Sequence, residues 1–275
     1  MSRHFSVSNP AVLAVSQASN LVRPVSAEPI PTDPYFANVS LLLKADGANG
    51  STNFVDDSTN NFAISALRSA QISTTQSKYG GSSAYFSGGE LAFTNHYNSA
   101  DYLSIATAYD VITTGQFTIE AWVYTAVNSL AVICGTFNWS FGNNSGWNLA
   151  VGTDNKLSLG GSNGTWNSSS VIVASTGTVP LNQWVHVAAT RDESNTVRVF
   201  INGLLEGTTT NYSHTLNRVG AQTTSGLRYA LRVGANLSDS WVTTAFIGYI
   251  DDLRITSGVA RYTANFTPPT SLPIS

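Results

Sequence analysis

From Val39 to Pro273 the chain alternates short hydrophobic runs with runs of Ser, Thr, Asn and Gly, and no stretch repeats with the 3.6-residue period of a helix. Phe117, Ile119, Ala121 and Val123 fall on one parity, and Thr118, Glu120, Trp122 and Tyr124 on the other. Val185, Val187 and Ala189 likewise oppose Trp184, His186 and Ala188. A period of two predicts strands. Because both faces carry bulk, these strands are either covered on both sides or carry aromatics on the concave side of a curved sheet, as in a two-layer sandwich. Val197 to Ile201 alternates again, Asn202-Gly203 supplies the two positive-φ residues of a type I′ turn, and Leu204-Leu205 starts a return strand. Phe246, Gly248 and Ile250 share one parity while Leu253 and Ile255 share the other, so a strand that buries both sets is bulged at Asp251-Asp252. The predicted fold class is all-β, a two-sheet antiparallel jelly-roll sandwich.

The first 36 residues do not fit this pattern. Five of the nine prolines lie there (Pro10, Pro24, Pro29, Pro31 and Pro34), with no sustained period. Residues 1–36 are therefore predicted to form an extended, Pro-rich attachment arm, and residues 37–275 the sandwich. Proline restricts φ, so such an arm loses less entropy on docking along a partner than a Gly-rich tail would. The stretch Ala11-Val-Leu-Ala-Val is interrupted by Ser16 and Gln17 and does not read as a secretory signal, and no run reaches the roughly 18 apolar residues of a membrane span.

Several segments resemble a known family. Trp184-Val-His-Val-Ala-Ala-Thr-Arg, Val197-Arg-Val-Phe-Ile-Asn-Gly, Phe246-Ile-Gly-Tyr-Ile-Asp-Asp-Leu-Arg-Ile and Gly258-Val-Ala-Arg-Tyr-Thr-Ala-Asn-Phe-Thr-Pro-Pro occur in that order. They are preceded by a glycine-rich segment, Tyr79 to Gly89, and by Asp101-Tyr-Leu-Ser-Ile. The set resembles the laminin-G-like jelly rolls of the concanavalin A-like lectin and glucanase superfamily, especially the copies in bacteriophage virion proteins. The resemblance implies a concanavalin A-like sandwich on a virion surface, in a capsid decoration or tail-associated protein. It also implies a structural Ca²⁺ where the first and last strands meet. Glu90 to Ala100 reads as an insertion, and Thr208 to Tyr229 as a long polar excursion of the kind that carries specificity on a rigid sandwich.

Composition narrows the partners. Charged residues are 11% of the chain, against roughly 25% in an ordinary soluble domain, so polar uncharged side chains must provide solubility. The formal net charge is −3 with Lys and Arg scattered, which leaves no electrostatic footprint for nucleic acid or an anionic membrane. Cys134, the single cysteine, sits in an apolar run and reads as a small core residue.

Glycoside hydrolysis requires a pair of carboxylates at fixed separation. None of the five glutamates (Glu28, Glu90, Glu120, Glu193, Glu206) has an acidic residue two or four positions away, so no pair shares a strand face. Glu120 reads as a partner for Arg191 or Arg254. His4, His96, His186 and His214 give no zinc spacing. The acids that do cluster point to calcium, with Asp46, Asp57, Asp251 and Asp252 as candidate ligands, although Asp-Gly and Asp-Asp-Ser are also turn sequences and Asp252 has Arg254 as an alternative partner. Trp139, Asn143, Asn144, Trp166 and Trp241 lie in segments rich in Asn, Gly and Ser, as does Trp147. Sugars stack C–H faces on flat rings and need closely spaced donors and acceptors, so the first five are candidate glycan-binding residues, against the alternative that the tryptophans fill strand ends. The expected function is a non-enzymatic phage virion surface protein, present in many copies and joined to other virion proteins through residues 1–36. The alternatives are a secreted or cell-surface glycan-binding adhesin and a glycosidase.

Overall fold

The computed structural model describes residues 32–89, 100–105, 111–112, 115–136, 146–162, 169–216, 230–236, 245–270 and 272–273. Among them, helix is confined to a 3-10 turn, Phe36–Asn38. The first strands are β1 (Val39–Leu43), β2 (Ser65–Leu67), β3 (Gln71–Ser73), β4 (Ser83–Phe86) and β5 (Tyr102–Ile105). Then come β6 (Phe117–Thr125), β7 (Ala131–Gly135), β8 (Trp147–Val151), β9 (Leu157–Ser162) and β10 (Ser169–Ala174). The last are β11 (Val185–Arg191), β12 (Val197–Ile201), β13 (Leu204–Thr209), β14 (Leu231–Val233) and β15 (Gly248–Ser257).

These strands form the expected two antiparallel sheets. The first sheet runs β13-β12-β11-β6-β15-β4-β3, and the second β10-β9-β8-β7-β14-β5-β2. At ten residues, β15 is long enough to take two neighbours on one edge. Gly248 to Ile250 pair with β4 and Leu253 to Thr256 with β1, while β6 holds the other edge. The inward residues of both sheets make one core: Ile119, Ala121, Val123, Val187, Val199 and Ile250 from the first meet Leu103, Ile133, Trp147, Leu149, Leu159 and Leu231 from the second. Burial of each large apolar side chain there stabilises the fold by about 1.5–3 kcal/mol.

The two local signals of the sequence appear as predicted. Asn202 and Gly203 have φ of 50° and 78°, and a Cβ on Gly203 would overlap the Phe266 carbonyl. Asp251 pairs with Trp122 but Arg254 with Glu120, so β15 carries one extra residue, and Asp252 takes φ 47° within the bulge. That extra residue turns both Ile250 and Leu253 into the core. The strand itself starts at Gly248, and Phe246 is buried just ahead of it.

Of the two explanations for bulk on both faces of β6 and β11, covering applies over half of the sheet. The segment after β15 crosses the outer face: the Thr118 hydroxyl donates to the Val259 carbonyl (2.9 Å), Thr190 to that of Tyr262 (2.9 Å), and the Phe266 N–H to that of Gly203 (2.9 Å). The Tyr262 and Phe266 rings stack with centroids 3.5 Å apart, and Phe266 meets His186 and Phe200 edge-on. The start of the sandwich also lies earlier than residue 37. Asp33 is buried and accepts hydrogen bonds from Arg254 (2.9 Å) and Arg261 (2.7 and 2.8 Å), so the folded unit includes residues expected to belong to the arm.

Candidate functional site

The bulge in β15 sends two adjacent carboxylates in different directions. Asp251 faces outward, and its Oδ2 accepts the backbone N–H groups of Lys78 (2.7 Å) and Tyr79 (3.1 Å), pinning the glycine-rich segment before β4. Burial outweighs these hydrogen bonds and pushes its pKa up to about 7. Asp252, with its positive φ, carries two buried carboxylate oxygens that make no well-aligned hydrogen bond, with the Leu272 backbone N–H as a weak partner. Burial raises it to about 6, opposed by the Lys44 charge, the Leu272 backbone N–H and the Arg254 charge and assisted by Asp46. Asp57 is raised by burial, with Lys44 opposing and Asp46 and Asp56 adding to the effect. Asp46 lies against Gly80, where a Cβ would overlap its carboxylate.

The structure thus brings Asp46, Asp57 and Asp252 into one electrostatic neighbourhood around Lys44, while Asp251 is engaged by a loop. Asp56 is also engaged: its oxygens accept from the N–H groups of Leu42, Ser58 and Phe62 and from the Ser58 hydroxyl. Among the described residues, no three His, Cys, Asp or Glu side chains group closely enough to hold a metal ion by themselves. The alternative ion pair for Asp252 does not form, because Arg254 bonds Glu120 and Asp33 instead.

Glu120 is the opposite case. It is fully buried, and Oε1 accepts from Arg254 Nε (2.9 Å) and Nη2 (2.7 Å), while Oε2 accepts from the Tyr262 hydroxyl (2.8 Å) and sits 3.2 Å from His186 Nε2. Burial alone would raise its pKa, but the Arg254 charge and the His186 and Tyr262 contacts bring it down to about 2. Between the two arginines left open by the sequence, register decides: Arg254 stands opposite Glu120, whereas Arg191 bonds the carbonyls of Gly115 and His214. A carboxylate so occupied and so buried cannot reach a glycosidic bond. Cys134 is fully buried, and burial pushes its thiol pKa up, as befits a core residue.

Trp139, Asn143, Asn144, Trp166 and Trp241 lie outside the described residues. Trp147, from the same kind of segment, is fully buried and fills the core. A different aromatic set was not singled out by the sequence. Tyr85 on β4 pairs directly with Tyr249 on β15, Tyr249 with Tyr124 on β6, and Trp184 lies one residue before Val185, which pairs with Val123. The four rings form a row across the strands, with centroid separations of 5.0, 5.8 and 5.8 Å, and all four are partly exposed. The outward parity of Tyr124 and Trp184 was legible; their alignment with Tyr85 and Tyr249 depends on strand pairing.

A two-sheet antiparallel jelly roll with aromatics on an outer face defines a class of β-sandwich in which lectins and glucanases share one architecture. Residues 96–261 match the concanavalin A-like lectin/glucanases superfamily, in its third laminin-G-like group, and the chain belongs to that family. No curated protein shows significant similarity to the chain. Among solved structures, it is similar to domain 4 of AbnA, an extracellular arabinanase of Geobacillus stearothermophilus in complex with arabinotriose. That match has 18% identity and a TM-score of 0.51, and covers 80% of this chain and 92% of that one. It is also similar to the binding domain of Paraclostridial Mosquitocidal Protein 1, at 13% identity and a TM-score of 0.54, covering 81% of this chain and 49% of the other. Among the described residues, no helix is long and apolar enough to cross a membrane.

Proposed function

We propose that this chain is a non-enzymatic, lectin-like binding protein displayed in many copies on a phage virion, attached to other virion proteins through its N-terminal arm. The observation that carries the non-enzymatic part is the state of Glu120, which sits on a central strand but is buried and saturated by Arg254, Tyr262 and His186. Support for glycan binding comes from the family, from the likeness to a domain crystallised with arabinotriose, and from the aromatic and amide residues Trp139, Asn143, Asn144, Trp166 and Trp241. Multivalent display raises avidity by about 10² to 10⁴ without any new contact, so one copy needs only a shallow site. The test is binding of the multimerised protein to a glycan array and to host cells, with Trp139→Ala, Trp166→Ala and Trp241→Ala variants alongside a hydrolysis screen. Loss of binding in the variants with no sugar release is expected; release of reducing sugar would return the glycosidase reading. Binding by a chain isolated from a cell envelope would favour the adhesin.

A structural Ca²⁺ belongs to the same proposal. The buried oxygens of Asp252, held by no well-aligned hydrogen bond, fit a cation; Asp46 acts on Asp252 and on Asp57 alike, and Lys44 lies near both. These residues would hold the ion, with backbone carbonyls and water completing a shell of about six to eight oxygens. A bound cation would neutralise the buried charge and join the β1–β2 connection to β15. Asp251 would act through its loop contacts and not as a side-chain ligand. The melting temperature should rise with Ca²⁺ and fall with chelator; no change in either would remove the site.

A further inference from the structure

We propose that the row of part-exposed rings on the outer face of the first sheet is a glycan platform, on which a neutral oligosaccharide lies across the strands over Tyr85, Tyr249, Tyr124 and Trp184. This rests on the lectin function proposed above but places the contact on the sheet instead of the loops.

Two neighbouring rows on that face differ in what lies over them. In one row Trp122 is 8% exposed and His186 1%; Phe266 of the C-terminal segment covers His186, while Tyr79 and Lys78 cover Trp122, with the Lys78 ammonium 4.0 Å from the Trp122 ring centroid. The next row, two residues along each strand, is the four-ring row, and all four of its rings keep exposed surface. Its interplanar angles are 38°, 85° and 67° in order, so ring faces and ring edges alternate along it. Polar groups converge on the same line. The Tyr249 hydroxyl is hydrogen-bonded to Thr75 and lies within the field of the Tyr85 and Tyr124 hydroxyls, while the Trp184 indole nitrogen is buried and leaves its ring as the contact surface. Ring faces for C–H groups, interleaved with hydroxyls, are what a chain of sugars requires.

The backbone argues against an extended peptide in the same place. Peptides that add to sheets use an open edge, but β4, β15 and β6 are each paired on both sides at this row, and β11 lies between β6 and β12. Only side chains are available for recognition. Charges along the face are already engaged, Lys78 over Trp122 and Asp251 by two backbone N–H groups, which is why the ligand is neutral.

The experiment is affinity electrophoresis of the full chain through gels containing hydroxyethylcellulose, xylan or laminarin, with melting temperatures recorded for each variant. Wild type should be retarded in at least one gel. Trp184→Ala and Tyr85→Ala should each weaken that retention by about two- to tenfold, the range carried by one aromatic contact. Tyr124→Phe, which keeps the ring and removes one hydroxyl of the row, should weaken retention by less than Tyr85→Ala does. Where Trp184→Ala lowers the melting temperature, Trp184→Phe and Tyr85→Ser carry the same comparison in a stable background. Retention unchanged in folded row variants but lost in Trp139→Ala, Trp166→Ala or Trp241→Ala would overturn the platform and leave the lectin function standing. Absence of wild-type retardation in every gel would overturn the platform itself, while the glycan array tests lectin binding separately.

Discussion

Two buried acid sites hang on β15 within three residues of each other, and they are solved in opposite ways. At Arg254 the acids Glu120 and Asp33 share one guanidinium, with Arg261, Tyr262 and His186 filling the remaining positions. At Asp252 the carboxylate is also buried, yet its partners are a weak hydrogen bond from the Leu272 backbone and the charges of Lys44 and Arg254, and Asp46 adds like charge. Burial penalises every one of these carboxylates. Partners decide the sign, so Glu120 falls to about 2 and Asp252 rises to about 6. The first site is finished within the chain; the second is left short of positive charge, as a site awaiting a cation would be.

The largest expected effect comes from dismantling the finished site. Glu120→Ala leaves Arg254 buried with one partner fewer, and breaking a buried ion pair from one side costs about 3–5 kcal/mol, measurable by urea unfolding at pH 7. A value near zero would mean that the network is structurally idle. A pH series separates the two sites by sign. Glu120 is lowered in the folded state, so its contribution of about 3 kcal/mol is present above pH ~4.5 and is lost as pH falls through about 2. Asp252 and Asp251 are raised to about 6 and about 7, so stability present below pH ~4 is lost as pH rises through those values, on the order of 3 kcal/mol each. In chelator, the melting temperature should therefore peak in the mildly acidic range; a plateau extending from pH 5 to 9 would break the comparison.

Smaller effects sharpen it. Asp252→Asn retains a residue that tolerates positive φ while removing the buried charge, so it should gain about 1–2 kcal/mol in chelator at pH 8 and lose any response to Ca²⁺. Destabilisation there would mean that the Lys44, Leu272 and Arg254 contacts outweigh the cost of the buried charge. Asp33→Ala should cost about 1–3 kcal/mol, because Arg254 keeps Glu120 while Arg261 loses its carboxylate and keeps the Thr256 hydroxyl and the Tyr35 ring. Removing residues 1–31 leaves that network intact and is expected to shift the melting temperature least, while abolishing incorporation into a particle. A shift as large as that of Asp33→Ala would place the arm in the fold.

By itself the sequence determined whatever depends on neighbours along the chain. Strand alternation at Phe117–Tyr124, the Asn202-Gly203 turn and the parity change at Asp251-Asp252 are consequences of a two-residue period and of turn stereochemistry, and all three appear in the fold. The lack of a paired-acid motif was legible for the same reason, since such a pair would show itself as spacing along one strand. Tertiary structure decided the rest. Which arginine meets Glu120 is set by the register between β6 and β15, strands more than 120 residues apart, and Asp33 joins them from 221 residues away. The four-ring row exists only once β4, β15, β6 and β11 lie side by side. Asp251 and Asp252 look alike on paper, but one faces outward to a loop and the other is turned by its left-handed backbone toward Asp46 and Lys44. The parity change announces a bulge, but which of the two aspartates takes the left-handed conformation is settled by hydrogen-bond register with distant strands.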